Sequence, residues 1–141
     1  MKKSKAFFFW IASFTWGLPM TLIGILIAAV LLITGHKPKR FCCVICFEIG
    51  GSWGGFSCGP FIVVNKGADL CLKRHEFGHS LQNIILGVFM PFIISIPSMV
   101  RYWYRKYLIR SGKKRIEDLT MYELIWFESW ATRLGNRYLS C

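Results

Sequence analysis

Residues 70–86 read LCLKRHEFGHSLQNIIL, and the five at the centre, His75-Glu76-Phe77-Gly78-His79, form a complete HExxH. On a helix, positions i and i+4 share a face, so both imidazoles can reach one metal ion. Glu76 lies about 100° around from His75, close enough to polarise water beside that ion. Two nitrogen ligands, an adjacent general base and an open position are the minimum for metal-assisted hydrolysis. Asp69 is placed as an N-cap and Gly87 as a stop, which predicts a helix from about Leu70 to Leu86. Gly78 leaves that helix thin beside the second histidine.

The chain around it is strongly apolar: 141 residues, 54% hydrophobic, net charge +11. This length makes one domain at most. Phe7 to Ile33 is a run of 27 residues without charge, flanked by Lys2, Lys3 and Lys5 before it and by Lys37, Lys39 and Arg40 after it. At about 1.5 Å per residue the run exceeds the ~30 Å hydrocarbon slab, so it can span with tilt, with Pro19 as a kink. It is too long for a signal peptide, and no small-residue cleavage site precedes the basic cluster. The expectation is one retained transmembrane helix within residues 1–35 and a membrane-associated domain over residues 36–141.

Leu81 to Val100 is also uncharged but carries Gly87, Pro91 and Pro97. Hydropathy alone makes it a second span. Its broken composition also fits a helix end followed by a dip into the bilayer, shielded by protein. Seven basic residues then crowd into Arg101 to Arg115, with Tyr102, Trp103, Tyr104 and Tyr107 among them. Directly after an apolar run, this composition reads as an interfacial belt on anionic lipid rather than as a nucleic-acid surface. Residues 36–141 hold 15 of the 18 basic residues, which the positive-inside tendency makes cytoplasmic. Lys2, Lys3 and Lys5 pull the other way.

Between the apolar runs, Phe41 to Ile49 and Pro60 to Asn65 (PFIVVN) read as strands separated by glycine-rich residues 50–59, so a small β-hairpin or sheet is expected. The six cysteines show no zinc-ribbon spacing. Cys42-Cys43-x-x-Cys46 is better read as small core residues, reduced in a cytoplasmic body. A further helix is predicted over Met99 to Arg110, broken by Ser111-Gly112. The last helix is announced by a capping box, Thr120-Met121-Tyr122-Glu123, and Gly135 is placed to end it.

Two histidines need a third protein ligand. A histidine six residues after His79 is ruled out, because position 85 is Ile85, and neither Asp69 nor Asp118 lies in an apolar segment. A downstream glutamate remains: Glu117, Glu123 or Glu128. Glu123 has a capping role and Glu117 sits in a polar approach. Glu128 lies mid-helix among Trp126, Phe127 and Trp130, where an ionised carboxylate is costly unless it is paired or bound to a cation. The competing account is an ion pair with Arg133 or Arg137. Ala131, on the same face, lets a second helix approach.

HEFGH followed about fifty residues later by Glu128-Ser129-Trp130-Ala131 resembles the HExxH-plus-ExxA pattern of gluzincin metallopeptidases. The style is that of small membrane members related to the CAAX-protease and heat-shock membrane protease families. The resemblance covers about sixty residues. It implies a Zn2+ site of His75, His79 and Glu128 with Glu76 as general base, acting on a peptide or protein tail. It also implies that a short strand before the metal helix receives substrate in extended form. Phe61 to Asn65 (with Val63 at its centre) or glycine-rich Gly50 to Gly59 can serve, and Trp53 is a candidate to shape the subsite. Thr132 stands where such families carry an aspartate supporting a ligand histidine. Lys73 sits two before His75, where peptidases usually avoid charge. Tyr122, Arg133 and Asn136 are the candidates to stabilise an oxyanion.

The expected fold class is therefore a mainly α membrane protein, a minimal gluzincin-like arrangement: an N-terminal transmembrane helix, a β-hairpin, the HExxH helix, a Pro-broken apolar segment and a C-terminal ligand helix. The expected function is a zinc-dependent membrane metallopeptidase, in contact with membrane lipids and with no nucleic-acid partner. The alternative is a non-catalytic small membrane protein, an accessory or immunity factor or an adaptor for anionic lipid.

Overall fold

The computed structural model describes residues 3–51, 53–113 and 125–138. They are mostly helical with a small mixed sheet. The charge-free N-terminal run forms two helices, α1 (Lys3–Phe14) and α2 (Leu18–Ile33), bent by 95° from each other. The expectation of one continuous transmembrane helix is thus corrected: among the described residues no single helix is long and apolar enough to cross a membrane.

The break has a local cause. Pro19, in the first turn of α2, has no N–H for a preceding carbonyl. Hydroxyls take over some backbone bonding: Ser13 donates to the Phe9 carbonyl at 2.8 Å, and Thr21 donates to the Ser13 carbonyl at 2.7 Å. Gly17, at the corner, lies against Asn83, where a β-carbon would overlap the amide.

Helix α2 is largely apolar on both its buried and its exposed face. Its buried face holds Met20, Gly24, Ala28 and Leu31, while Leu22, Leu26, Val30 and Ile33 are exposed. Small residues face inward because the chain behind them is close. A β-carbon on Gly24 would meet the Phe61 ring at 2.7 Å.

Strands β1 (Lys39–Phe41), β2 (Val44–Ile49), β3 (Gly55–Cys58) and β4 (Phe61–Asn65) form one sheet in the order β1-β2-β4-β3. The expected strand over Phe41–Ile49 is interrupted by a turn at Cys42–Cys43, where Cys42 adopts φ 53°. Strands β2 and β4 pair in parallel, so the two predicted strands are not hairpin partners. The hairpins are β1–β2 and β3–β4, and the glycine-rich stretch supplies the outer strand of the second.

Both faces of the sheet are covered, which explains the unbroken apolar runs in β2 and β4. On one side Val44, Cys46, Ile62 and Val64 pack with Phe9 of α1 and Phe77. On the other, Phe47 and Val63 pack with Ala28 and Leu31 of α2. The N-terminal pair is thereby part of the same core as the rest. Phe77, inside the HExxH, is fully buried, its ring centroid 6.4 Å from that of Phe9. Burying such a ring stabilises by roughly 1.5–3 kcal/mol. Cys43, Cys46 and Cys58 are buried free thiols.

Helix α3 (Leu70–Leu86) starts as its sequence predicts, with the Leu72 amide donating to Asp69 Oδ1 at 2.8 Å, and it stops at Gly87. A 3-10 turn (Gly87–Phe89) and a π-helical turn (Pro91–Ser95) follow, leading into α4 (Ile96–Arg110). The chain turns by 115° across this break. No residue of α4 is buried. Helix α5 (Trp126–Tyr138) returns to pack along α3. Gly135 does not end α5; it lies within it, because a β-carbon there would overlap the Arg74 carbonyl of α3. The capping box Thr120–Glu123 and Tyr122 lie outside the described residues.

Candidate metal centre

One face of α3 and one face of α5 meet at three side chains. His75 and His79 share a face of α3 by their i, i+4 spacing, with ring centroids 4.8 Å apart. Glu128 Oε2 lies 3.1 Å from His75 Nε2 and 3.0 Å from His79 Nε2, and the two Nε2 atoms are 3.2 Å apart. Tetrahedral zinc with bonds of about 2.0–2.2 Å separates its ligand atoms by roughly 3.3–3.6 Å. The three groups thus form a cluster that can hold one metal ion. Arg133 and Arg137, the alternative partners for Glu128, are exposed on α5.

The hydrogen bonds around the cluster present both inner nitrogens as ligands. Thr132 donates its hydroxyl proton to the Glu128 carbonyl at 3.2 Å, so its oxygen accepts from His75 Nδ1 at 2.8 Å. Gln82 Nε2 donates to the Phe127 carbonyl at 2.8 Å, so its Oε1 accepts from His79 Nδ1 at 2.7 Å. Both imidazoles thereby donate from Nδ1, which leaves Nε2 as the ligand atom that would face a bound ion beside Glu128. Thr132 does for His75 what the expected aspartate would do, without the charge.

Glu128 is 1% exposed and anchored at its second oxygen as well, where the Ser98 hydroxyl donates to Oε1 at 2.7 Å. Burial by itself would raise the Glu128 carboxyl, but hydrogen bonds from His75, His79 and Ser98 hold it well below the usual carboxylate range. For His79, burial acts downward, and the Glu128 hydrogen bond and Glu76 charge outweigh it, so the imidazole is raised. Glu76 is pushed upward by burial, only partly offset by His79 and His75. Its Oε2 is buried and has no hydrogen-bond partner among the described residues.

Close packing brings these helices together. A β-carbon on Gly78 would overlap the Ala131 carbonyl, so α3 and α5 touch backbone to backbone one residue from His79. Lys73, the departure from pattern, is neutralised: its Nζ donates to Glu48 Oε1 at 2.9 Å, while Lys39 donates to Oε2 at 2.7 Å.

The strand beside Glu76 is β3. A β-carbon on Gly55 would stand 2.8 Å from Glu76 Oε1. Phe61–Asn65 cannot take an added strand, because β4 is paired to β2 on one side and β3 on the other. Val63 is buried in the core, and Phe61 and Asn65 are half-buried in that strand. The edge strands are β1 and β3; β3, within the glycine-rich alternative, is the one against Glu76, and Trp53 stands two residues before it. Arg133 and Asn136 are exposed and make no hydrogen bond to the cluster among the described residues.

Among the described residues no thiol belongs to the cluster. Burial, and then the neighbouring Cys42, pushes the Cys43 thiol up to about 12; burial does the same for Cys58. Sequence reading missed Gln82, Ser98 and Gly55. The signal for Gln82 was legible in principle, since an amide three residues after a ligand histidine shares its face. Ser98 and Gly55 meet the site only through tertiary folding. Comparison with family models, with curated proteins and with solved structures finds no match to this chain.

Proposed function

We propose that this chain is a zinc metallopeptidase that cleaves peptides or protein tails at a membrane surface. The observation that carries this reading is the convergence of His75, His79 and Glu128 beside the unpartnered Oε2 of Glu76, next to the open edge of β3. Two nitrogens and one carboxylate, with no thiolate, form the donor set of catalytic zinc sites. Bound zinc supplies Lewis-acid charge that polarises a carbonyl and makes water more acidic. Glu76 takes the proton from the attacking water on Oε2 and returns it to the departing amine. Thr132, Gln82 and Ser98 hold the three ligands in place. Gly55 lets an extended substrate on the β3 edge approach Glu76 without a side chain between them.

The membrane part of the reading rests on exposed apolar surface. Phe7, Phe8, Leu26 and Ile33 on α1 and α2, and Phe92, Met99 and Val100 after the break, are each more than half exposed. Soluble proteins rarely leave so much large apolar surface in water. The basic, aromatic α4 supports contact with anionic lipid, and the charge excess favours a cytoplasmic body.

Metal content of the detergent-purified protein beside Glu128→Ala tests the reading. About one zinc per chain, lost or much weakened in the variant, is expected. No zinc after zinc-replete purification would leave a non-catalytic membrane adaptor as the better account.

A further inference from the structure

The open edge of β3 continues past Glu76. Gly55, the first residue of β3, lies against the Glu76 carboxylate, and Gly54 before it already lines a groove of about 500 Å³. The sheet side of this groove is Trp53 and Asn65; its other wall is α4, through Tyr102, Arg105 and Lys106. These α4 positions recur at i, i+3 and i+4, so they form one stripe of the helix. Among the described residues lining the groove, the charged ones are Arg105 and Lys106. The Lys106 ammonium lies over the Tyr102 and Trp103 rings, 5.8 and 5.1 Å from their centroids. Among the described residues no carboxylate forms an ion pair with it.

Position and charge together point to a ligand. A peptide added to the edge of β3 advances roughly 3.4 Å per residue, so a group one to three residues from the bond facing Glu76 reaches the groove. We propose that the groove is a subsite for a carboxylate of the peptide substrate, supplied by its C-terminus or by an acidic side chain. The proposal rests on the peptidase reading for the identity of the ligand, but not for its chemistry. A basic groove at the start of β3 also selects the strand direction. Antiparallel addition delivers the C-terminal part of the substrate there, whereas parallel addition delivers the N-terminal part, and with it a terminal ammonium that Lys106 would repel.

The test is binding rather than turnover. Three acetylated, otherwise identical apolar hexapeptides are titrated against the full chain carrying Glu76→Gln. One ends in a free carboxylate, one in a carboxamide, and one in a carboxamide after a final glutamate. At least one carboxylate peptide is expected to bind about fivefold or more tightly than the neutral amide. The better carboxylate peptide identifies the source. Lys106→Gln, at an exposed position that leaves the fold intact, is expected to abolish the preference, and Lys106→Arg to keep it. Equal binding of all three peptides, or a preference untouched by Lys106→Gln, overturns the proposal. So does loss of binding to phosphatidylserine vesicles in Lys106→Gln with no peptide preference, which would make the groove a headgroup site. Because the readout needs neither zinc nor cleavage, a chain that discriminates carboxylates but holds no zinc refutes the peptidase reading alone. A chain that holds zinc and binds all three peptides alike refutes the subsite alone.

Discussion

A side chain on Gly78 would occupy the space filled by the backbone carbonyl of Ala131. The metal cluster depends on this relationship, because His79 and Glu128 can share a ligand position only if α3 and α5 approach without side chains between them. Gly78→Ala sets two effects against each other. Alanine favours a helix interior over glycine by about 0.5–1 kcal/mol, but overpacking against an unyielding backbone costs about 1–3 kcal/mol. The clash wins, so Gly78→Ala is expected to lower the melting temperature and weaken zinc binding together. A variant with wild-type melting and zinc affinity would contradict the close approach.

Gln82 is fully buried and joins the two ligand helices through one amide, from His79 Nδ1 to the Phe127 carbonyl. Replacing it by leucine removes the acceptor that sets the His79 tautomer. Losing such a support weakens metal binding by about 10–100-fold. Competition with a zinc chelator measures this, and unchanged affinity would reduce Gln82 to a packing role.

Variants at Gly55 and Glu76 test the proposed hydrolysis separately from metal binding. Glu76→Gln keeps the shape of the side chain and touches none of the three ligand atoms, so zinc content is expected to hold while peptide hydrolysis falls by about 10²–10⁴. Gly55→Val places a side chain against Glu76 Oε1 and is expected to reduce hydrolysis at unchanged zinc content. Loss of zinc in either variant would move that residue from the reaction to the metal site.

Metal removal is expected to destabilise the fold. A ligand that binds only the folded chain at 1,000 times its dissociation constant adds about 4 kcal/mol. The melting temperature in excess EDTA is therefore expected to lie well below that with added zinc, and the gap to vanish in Glu128→Ala. An identical melting temperature in both conditions would argue against specific binding.

Glu48 supplies a pH signature away from the metal. Hydrogen bonds from Lys39, and then from Lys73, lower its carboxyl below the usual range. A lowered folded value means that the stabilisation is present above the ordinary carboxylate pKa and fades as pH falls toward the folded one. Glu48→Gln is therefore expected to melt below wild type at pH 7, with the gap closing toward pH 3. A gap independent of pH would assign the loss to packing rather than charge.

How much was legible beforehand follows from how local each signal is. His75, Glu76 and His79 were readable because 3.6 residues per turn puts i and i+4 on one face whatever surrounds the helix. Asp69 and Gly87 were readable as its ends because caps are satisfied within a few residues. Glu128 was readable because a mid-helix carboxylate among tryptophans needs a partner, though not which one. The role of Gly135 was misread from spacing, since a glycine that ends a helix and one that admits a neighbouring helix look the same in sequence.

Pairing and direction were settled only by the tertiary structure. Two apolar strands are equally compatible with hairpin and parallel pairing; the intervening glycine-rich segment forms β3, taking the edge and making β4 interior. The uncharged run Phe7–Ile33 carries no periodic mark of its 95° corner, which depends on Pro19, the Thr21 hydroxyl and contact with Asn83. Ser98 meets Glu128 only because the proline-broken chain turns by 115°, an angle no residue encodes alone. The sequence by itself determined which side chains share the His75–His79 face of α3, because helical periodicity is a property of the chain. Which backbone groups come close enough to hold them is a property of packing, and only the folded molecule decided it.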